Sequence, residues 1–287
     1  MNRPVVLGSP GRAPGRSPAG PHSLGGSTNV LIRPGASSTP VLHAIGVEKR
    51  FGALVAASAI DISIAAGERV SLIGSNGAGK TTFVNMITGY LKPDAGSIAL
   101  AGRDITPLSP RAIARLGVAR SFQIPQLYPG LSVLENMLVA TACQDKSLSF
   151  WQRARRAVAV ERADALLERF RLTEHRERRV AELPGGVRKL LDIAMALTGQ
   201  PLLLLLDEPT SGVSADEKFP MMEIIMTALG AEPMTVLFVE HDMDIVQRYA
   251  DRVIAFYSGR IIADAAPEAA LAADDVRRYV TGTLRVE

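Results

Sequence analysis

Cysteine and long apolar runs are scarce here, and each scarcity excludes something. The single Cys143 has no partner for an internal disulfide and lies far along the chain from any histidine, so a secreted disulfide framework and a cysteine metal site are both excluded. A reducing compartment follows as the expectation. No apolar stretch approaches the roughly 18 residues a membrane span needs, the most notable being Leu202 to Leu206. The first 40 residues contain no acid but carry Arg3, Arg12, Arg16 and Arg33, so removing these four from the net +3 leaves the remainder at −1. A near-neutral body argues against nucleic acid as a partner.

Residues 1–40 are also dense in Pro, Gly and Ser and lack helical or strand periodicity. They cannot bury enough apolar surface to offset the entropy of ordering, and a disordered tail is expected. Its prolines and glycines interrupt every apolar stretch before a signal-peptide core could form. The alternative is that translation begins near Val41. With 47% apolar and 21% charged residues in 287, the chain can build one sizeable core or two small ones without staples.

What is present is organised around Gly74-Ser75-Asn76-Gly77-Ala78-Gly79-Lys80-Thr81-Thr82, a phosphate-binding pattern of glycine, four residues, then Gly-Lys-Thr. Arg69 to Ile73 before it reads as a buried strand, and Phe83 to Ile87 after it as the first turns of a helix. Glycines let backbone wrap a polyphosphate closely, and the helix start aims free N–H groups and a positive dipole end at the anion. Lys80 then falls on the β/γ-phosphates and the Thr81 hydroxyl on Mg²⁺.

Around this loop the pattern is strand-like: Val41 to Ile45, the alternating Ile60, Ile62 and Ile64, and Ile98 to Leu100. These predict a small antiparallel sheet beside the nucleotide core. Phe51 is expected in a turn before the second strand, where it either stacks on a purine or rims the core. Ser132 and Glu135 form a capping box for a helix toward Cys143. From Phe150 to Phe170, Trp151, Ala154, Val158, Leu166, Leu167 and Phe170 recur at near-helical spacing against arginines, an amphipathic helix whose basic face reads as solvated surface. Leu183-Pro184-Gly185-Gly186-Val187 opens a further helix with Leu190, Ala194 and Leu197 on one face. Its two glycines either approach a phosphate or simply start the helix.

Gln200-Pro201 breaks that helix, and Leu202 to Leu206 forms an all-apolar strand ending in Asp207-Glu208. Two carboxylates at the C-terminal end of a buried strand lie where α/β sheets place ligands. Asp207 suits Mg²⁺ through its water shell, and Glu208 can polarise an attacking water. Val236 to Val239 is another buried strand, which places His241 at the same sheet edge with a γ-phosphate contact as its expected role. Strands from Val253 to Tyr257 and Gly259 to Ala263, then helices from Ala266 to Val280, close the chain.

In order, Phe51, the loop at Gly74 to Thr82, Gln123, Leu183 to Val187, Leu202 to Glu208 and His241 resemble the motifs of the ATP-binding subunits of ABC transporters, most of all the branched-chain amino acid uptake branch. The resemblance covers residues 41–282. It implies an α/β P-loop core with an antiparallel β subdomain and a helical subdomain inserted at about 124–198.

ATP and Mg²⁺ are the implied ligands. The resemblance gives ATP contacts at Phe51, Ser75, Asn76, Gly77, Ala78, Gly79, Lys80, Thr81, Thr82, Gln123 and His241. Glu208 is the implied general base with His241 beside it, and Thr81, Gln123 and Asp207 are the implied Mg²⁺ contacts. A second ATPase subunit, head to tail, would complete the site with Gly185 and Gly186, at the cytoplasmic face of the membrane. Membrane permease subunits would receive the stroke, and a solute-binding protein would deliver the substrate indirectly. Two departures stand out: Pro184 and Val187 replace the usual serine and glutamine of the signature, and Ser214 replaces an acidic or amide residue. Related subunits serve urea, amides or lipopolysaccharide export, and a soluble ATPase of translation or DNA repair, or a P-loop kinase or GTPase outside this family, are the other readings.

Overall fold

The computed structural model describes residues 39–144, 152–230 and 234–283. Residues 1–38 of the expected tail, with Phe150 and Trp151, lie outside these.

Two sheets form. The first is antiparallel in the order β2-β1-β4-β5, from β1 (Leu42–Phe51), β2 (Leu54–Ile64), β4 (Ala95–Leu100) and β5 (Arg103–Asp104). The second has six strands in the order β10-β9-β3-β8-β7-β6. These are β3 (Arg69–Gly74), β6 (Val118–Ser121), β7 (Leu203–Asp207), β8 (Thr235–Val239), β9 (Arg252–Tyr257) and β10 (Arg260–Ala265). All neighbours in it are parallel except β9 and β10.

The all-apolar strands follow from this placement, since a parallel sheet covered on both faces has no wet side. Leu203, Leu205, Leu237 and Val239 join one core with α1 (Lys80–Ile87) and the antiparallel sheet. Leu204, Leu206, Val236 and Phe238 alternate to the opposite face. There they meet α5 (Gly185–Ala196) and α6 (Ala215–Leu229). Each such leucine is fully buried, which stabilises the fold by about 1.5–3 kcal/mol per side chain.

Between β6 and β7 run α3 (Val133–Gln144), α4 (Gln152–Arg169) and α5. The capping box forms as expected: the Ser132 N–H donates to Glu135 at 2.7 Å, and the Glu135 N–H to the Ser132 hydroxyl at 3.1 Å. Ala163 and Leu167 bury one face of α4, and Phe170, just past its end, joins the same core.

Three expectations need correction. Val158 is 47% exposed, because the buried stripe of α4 runs through Ala163 and Leu167 instead. Leu202 is likewise exposed and precedes β7, which starts only at Leu203 where pairing to Val118 begins. Phe51 is not in a turn; it is the last residue of β1, paired with Leu54. The break at Gln200-Pro201 forms as expected: α5 runs to Ala196 and continues as a single 3₁₀ turn, Leu197–Gly199, closed by Gln200 in the left-handed region. The sequence reading missed α2 (Pro110–Arg115), α7 (Met243–Tyr249) and the edge strand β6, too short for a clear period. Helices α8 (Pro267–Ala272) and α9 (Asp274–Tyr279) close the described chain, and no described helix is long and apolar enough to cross a membrane.

Candidate functional site

The loop at residues 75–79 leaves the C-terminal end of β3, the middle of the six strands, and runs straight into α1. Its geometry is written in two glycines. Gly74 has φ 150° and Gly79 φ 112°, and a Cβ on either would lie 2.4 Å from a backbone oxygen, of Phe256 and Ala56 respectively. Only glycine fits there. No side chain caps the start of α1, so its N–H groups remain free for an anion.

Lys80 is buried beneath the loop, its Nζ donating to the carbonyls of Gly74 at 2.5 Å and Ser75 at 3.1 Å. Burial depresses its pKa, while the charges of Glu208 and Asp207 act in the opposite direction. It makes no ion pair among the described residues. A buried ammonium and an uncapped helix start form a cradle for a polyanion, and Ser75, Asn76, Gly77 and Thr81 are exposed along it.

At the end of β7, Glu208 has φ 47°, a left-handed conformation that costs a non-glycine residue about 1–2 kcal/mol. Its N–H bonds the Val239 carbonyl at 3.1 Å. Its carboxylate accepts from Gln123 Nε2 at 2.7 Å, and His241 Nε2 lies 3.1 Å from the other oxygen. Three residues singled out in the sequence therefore meet at one carboxylate. Asp207 is held differently, by Arg120 Nη2 at 2.6 Å, and Arg120 in turn donates to Asn85 of α1 at 2.7 Å.

Other predicted positions stand apart. Phe51 is a half-exposed ring with Lys49 Nζ 5.8 Å from its centroid. Gly185 and Gly186 open α5 without a side-chain cap, and a Cβ on Gly186 would sit 3.5 Å from Val213. Ser214 caps α6, its hydroxyl donating to Glu217 at 2.7 Å, which gives serine a local reason to stand there.

Sequence reasoning missed the groups that tie these pieces together. Lys189 is buried and donates to the carbonyls of Phe122 at 2.7 Å, Gln123 at 3.1 Å and Asp207 at 3.2 Å. One turn on, Asp192 accepts from the Ser121 hydroxyl at 2.6 Å and the Gln126 N–H at 3.0 Å. Burial lowers the Lys189 pKa and raises that of Asp192. Helix α5 is thereby pinned to the segment that carries Gln123. Glu240, also buried, accepts from the N–H and hydroxyl of Thr210 and from the His241 N–H. The available signal for the pair on α5 was two charges set among apolar residues on either side.

No group of three or more His, Cys, Asp or Glu that could hold a metal occurs among the described residues. The oxygens of Thr81, Gln123 and Asp207 are too few for a protein cage. They suit Mg²⁺, which completes its shell with water and substrate phosphates.

Comparison with known proteins agrees with this arrangement. The family model described as ABC transporter matches residues 57–211. The branched-chain amino acid transport ATP-binding protein LivG of Salmonella typhimurium is 38% identical over 253 residues, 85% of this chain and 99% of its own. BraF of Pseudomonas aeruginosa, of the same description, is 35% identical over 80% of this chain and 93% of its own. The ADP conformation of MJ1267, an ATP-binding cassette of an ABC transporter, superposes with a TM-score of 0.71 at 33% identity, covering 82% of this chain and 94% of that one. With more than half its length matched by the family model and relatives spanned nearly end to end, this chain belongs to the ABC transporter family as an ATP-binding subunit.

Proposed function

We propose that this chain hydrolyses ATP to power an importer of branched-chain or similar amino acids, docked peripherally on membrane permease subunits at the cytoplasmic face. The observation that carries the hydrolytic reading is the Glu208 carboxylate, held between Gln123 and His241 at the sheet edge beside the Lys80 loop. The transport reading is supported by the names of relatives that match nearly end to end, LivG and BraF.

In this mechanism the 75–79 backbone and Lys80 bind the β- and γ-phosphates, and the exposed Phe51 ring stacks on the purine. Lys80 exchanges its two carbonyl partners for phosphate oxygens, which strengthens in a buried setting. Glu208 accepts a proton from water as that water's oxygen attacks the γ-phosphorus. The bond from that phosphorus to the β–γ bridging oxygen breaks, leaving ADP and phosphate. Gln123 and His241 fix the carboxylate's two oxygens, and His241 is within reach of a γ-phosphate placed beside Glu208. Mg²⁺, when bound by Thr81, Gln123 and Asp207, supplies charge neutralisation of the phosphates. General base action of this kind contributes about 10²- to 10⁴-fold.

The free N–H groups of Gly185 and Gly186 close the site of a second subunit arranged head to tail. They do so through backbone, so the missing signature serine at Pro184 costs a hydroxyl and one backbone N–H and leaves those of Gly185 and Gly186 in place. Residues 124–198 form the helical subdomain that meets the permease.

Isolation of the tagged chain from gently solubilised native membranes tests this. Hydrophobic permease subunits should accompany it, and the solute-binding protein that delivers to them should bind leucine, isoleucine or valine. Recovery with ribosomes or DNA would overturn the transport reading, and a urea- or amide-binding partner would overturn the substrate.

A further inference from the structure

From the contacts of Arg120 we infer that this residue is a positioning and charge-compensating partner of Asp207, which makes divalent-metal binding conditional on nucleotide. The inference rests on the nucleotide reading above and goes beyond it.

Strand pairing sets Arg120 opposite Leu205, so Arg120 and Asp207 project from adjacent strands onto the same face of the sheet. The Arg120–Asp207 pair is 2.6 Å apart with side chains only 9% and 13% exposed. The same guanidinium donates to Asn85 Oδ1 at 2.7 Å and lies 4.8 Å over the Phe122 ring. Its Nε is buried without a partner. One planar group therefore joins the helix after the phosphate loop, the strand leading to Gln123, and the acid at the end of β7.

This geometry takes up one Asp207 oxygen and cancels its charge in a poorly solvated place, where charge effects are larger than in water. The remaining oxygen alone is a weak point of attachment for a hydrated cation. Phosphate oxygens arriving on the Lys80 loop supply what is missing. The metal is then held with nucleotide and released without it, which prevents Asp207 and Glu208 from trapping a cation in the resting subunit. Lysine cannot replace the fork, because it has no planar pair of donors for Asn85 and Asp207 together, yet it keeps the charge.

The test is Mn²⁺ binding by electron paramagnetic resonance, with and without a non-hydrolysable ATP analogue. Wild type should retain Mn²⁺ only with the analogue. Arg120→Met should bind Mn²⁺ without nucleotide at least about tenfold more tightly than wild type, whereas Arg120→Lys should stay within about threefold of wild type, its charge being kept. Nucleotide-free Mn²⁺ affinity in Arg120→Met equal to wild type overturns the inference. Wild type that fails to take up Mn²⁺ even with the analogue overturns the nucleotide reading instead.

Should Arg120→Met fail to fold, carbon-detected NMR of the arginine side chains in the unaltered chain serves. A guanidinium of Arg120 with restricted rotation in the nucleotide-free state supports the pairing. Free rotation sinks it.

Discussion

Replacing Glu208 by Gln probes the reacting centre while disturbing the fold least. The carboxylate now takes a hydrogen bond from Gln123 at 2.7 Å and sits 3.1 Å from His241 Nε2. Glutamine keeps one oxygen for Gln123 and turns its amide toward His241, whose Nε2 can accept when the other ring nitrogen carries the proton. Both contacts survive in that orientation. With the Glu208 side chain 24% exposed, the change in stability should stay within about 1 kcal/mol.

Turnover behaves otherwise, because the amide cannot take a proton from water. The loss expected is about 10²- to 10⁴-fold, or about 2.7–5.4 kcal/mol of barrier. Phosphate release at saturating ATP, beside equilibrium binding of ATP to the same preparation, separates the two effects. Unchanged binding with turnover lost is the predicted result, and ATP should now drive the variant into a stable dimer. Turnover within tenfold of wild type would refute the role of Glu208 as base.

Gly74→Ala should cost at least about 2 kcal/mol, since the new Cβ would lie 2.4 Å from the Phe256 carbonyl oxygen. Gly185→Ala meets open space in a helix and should leave the urea midpoint unchanged or slightly raised, while weakening ATP-driven dimerisation. Asp192 carries a pKa raised by burial, so the native chain holds this proton to higher pH than the unfolded chain. Its contribution to stability is present in full below about pH 3.9 and is lost as pH rises through the raised native value. The stability of wild type minus that of Asp192→Asn should therefore fall across the mildly acidic range and then level off, in urea melts at stepped pH. A difference that rises with pH would contradict the assignment.

Much of the site was legible because its chemistry is local. The loop before Lys80 needs glycines at positions fixed by close backbone approach, and two carboxylates ending an apolar strand announce themselves. Glu208 and His241 could be placed together because each follows an apolar strand of one sheet, whereas Gln123 came only from the resemblance, the four-residue β6 before it being too short for a clear period. The supporting charges were not legible for the opposite reason. Arg120 and Asp207 are 87 residues apart, and Lys189 meets Gln123 across 66. Two charges among apolar residues mark Lys189 and Asp192 as unusual, but a one-dimensional pattern does not say that the lysine bonds three carbonyls. The same holds for Phe51: its pairing with Leu54 depends on how tightly β1 turns into β2, which periodicity does not specify.

The most direct measurement is equilibrium binding of ATP with Mg²⁺ to the wild-type chain and to Lys80→Ala, with folding of both checked by circular dichroism. The account predicts saturable binding by wild type and its loss in a folded Lys80→Ala chain. Equal binding by the two would mean that the loop around Lys80 is not where the phosphates sit.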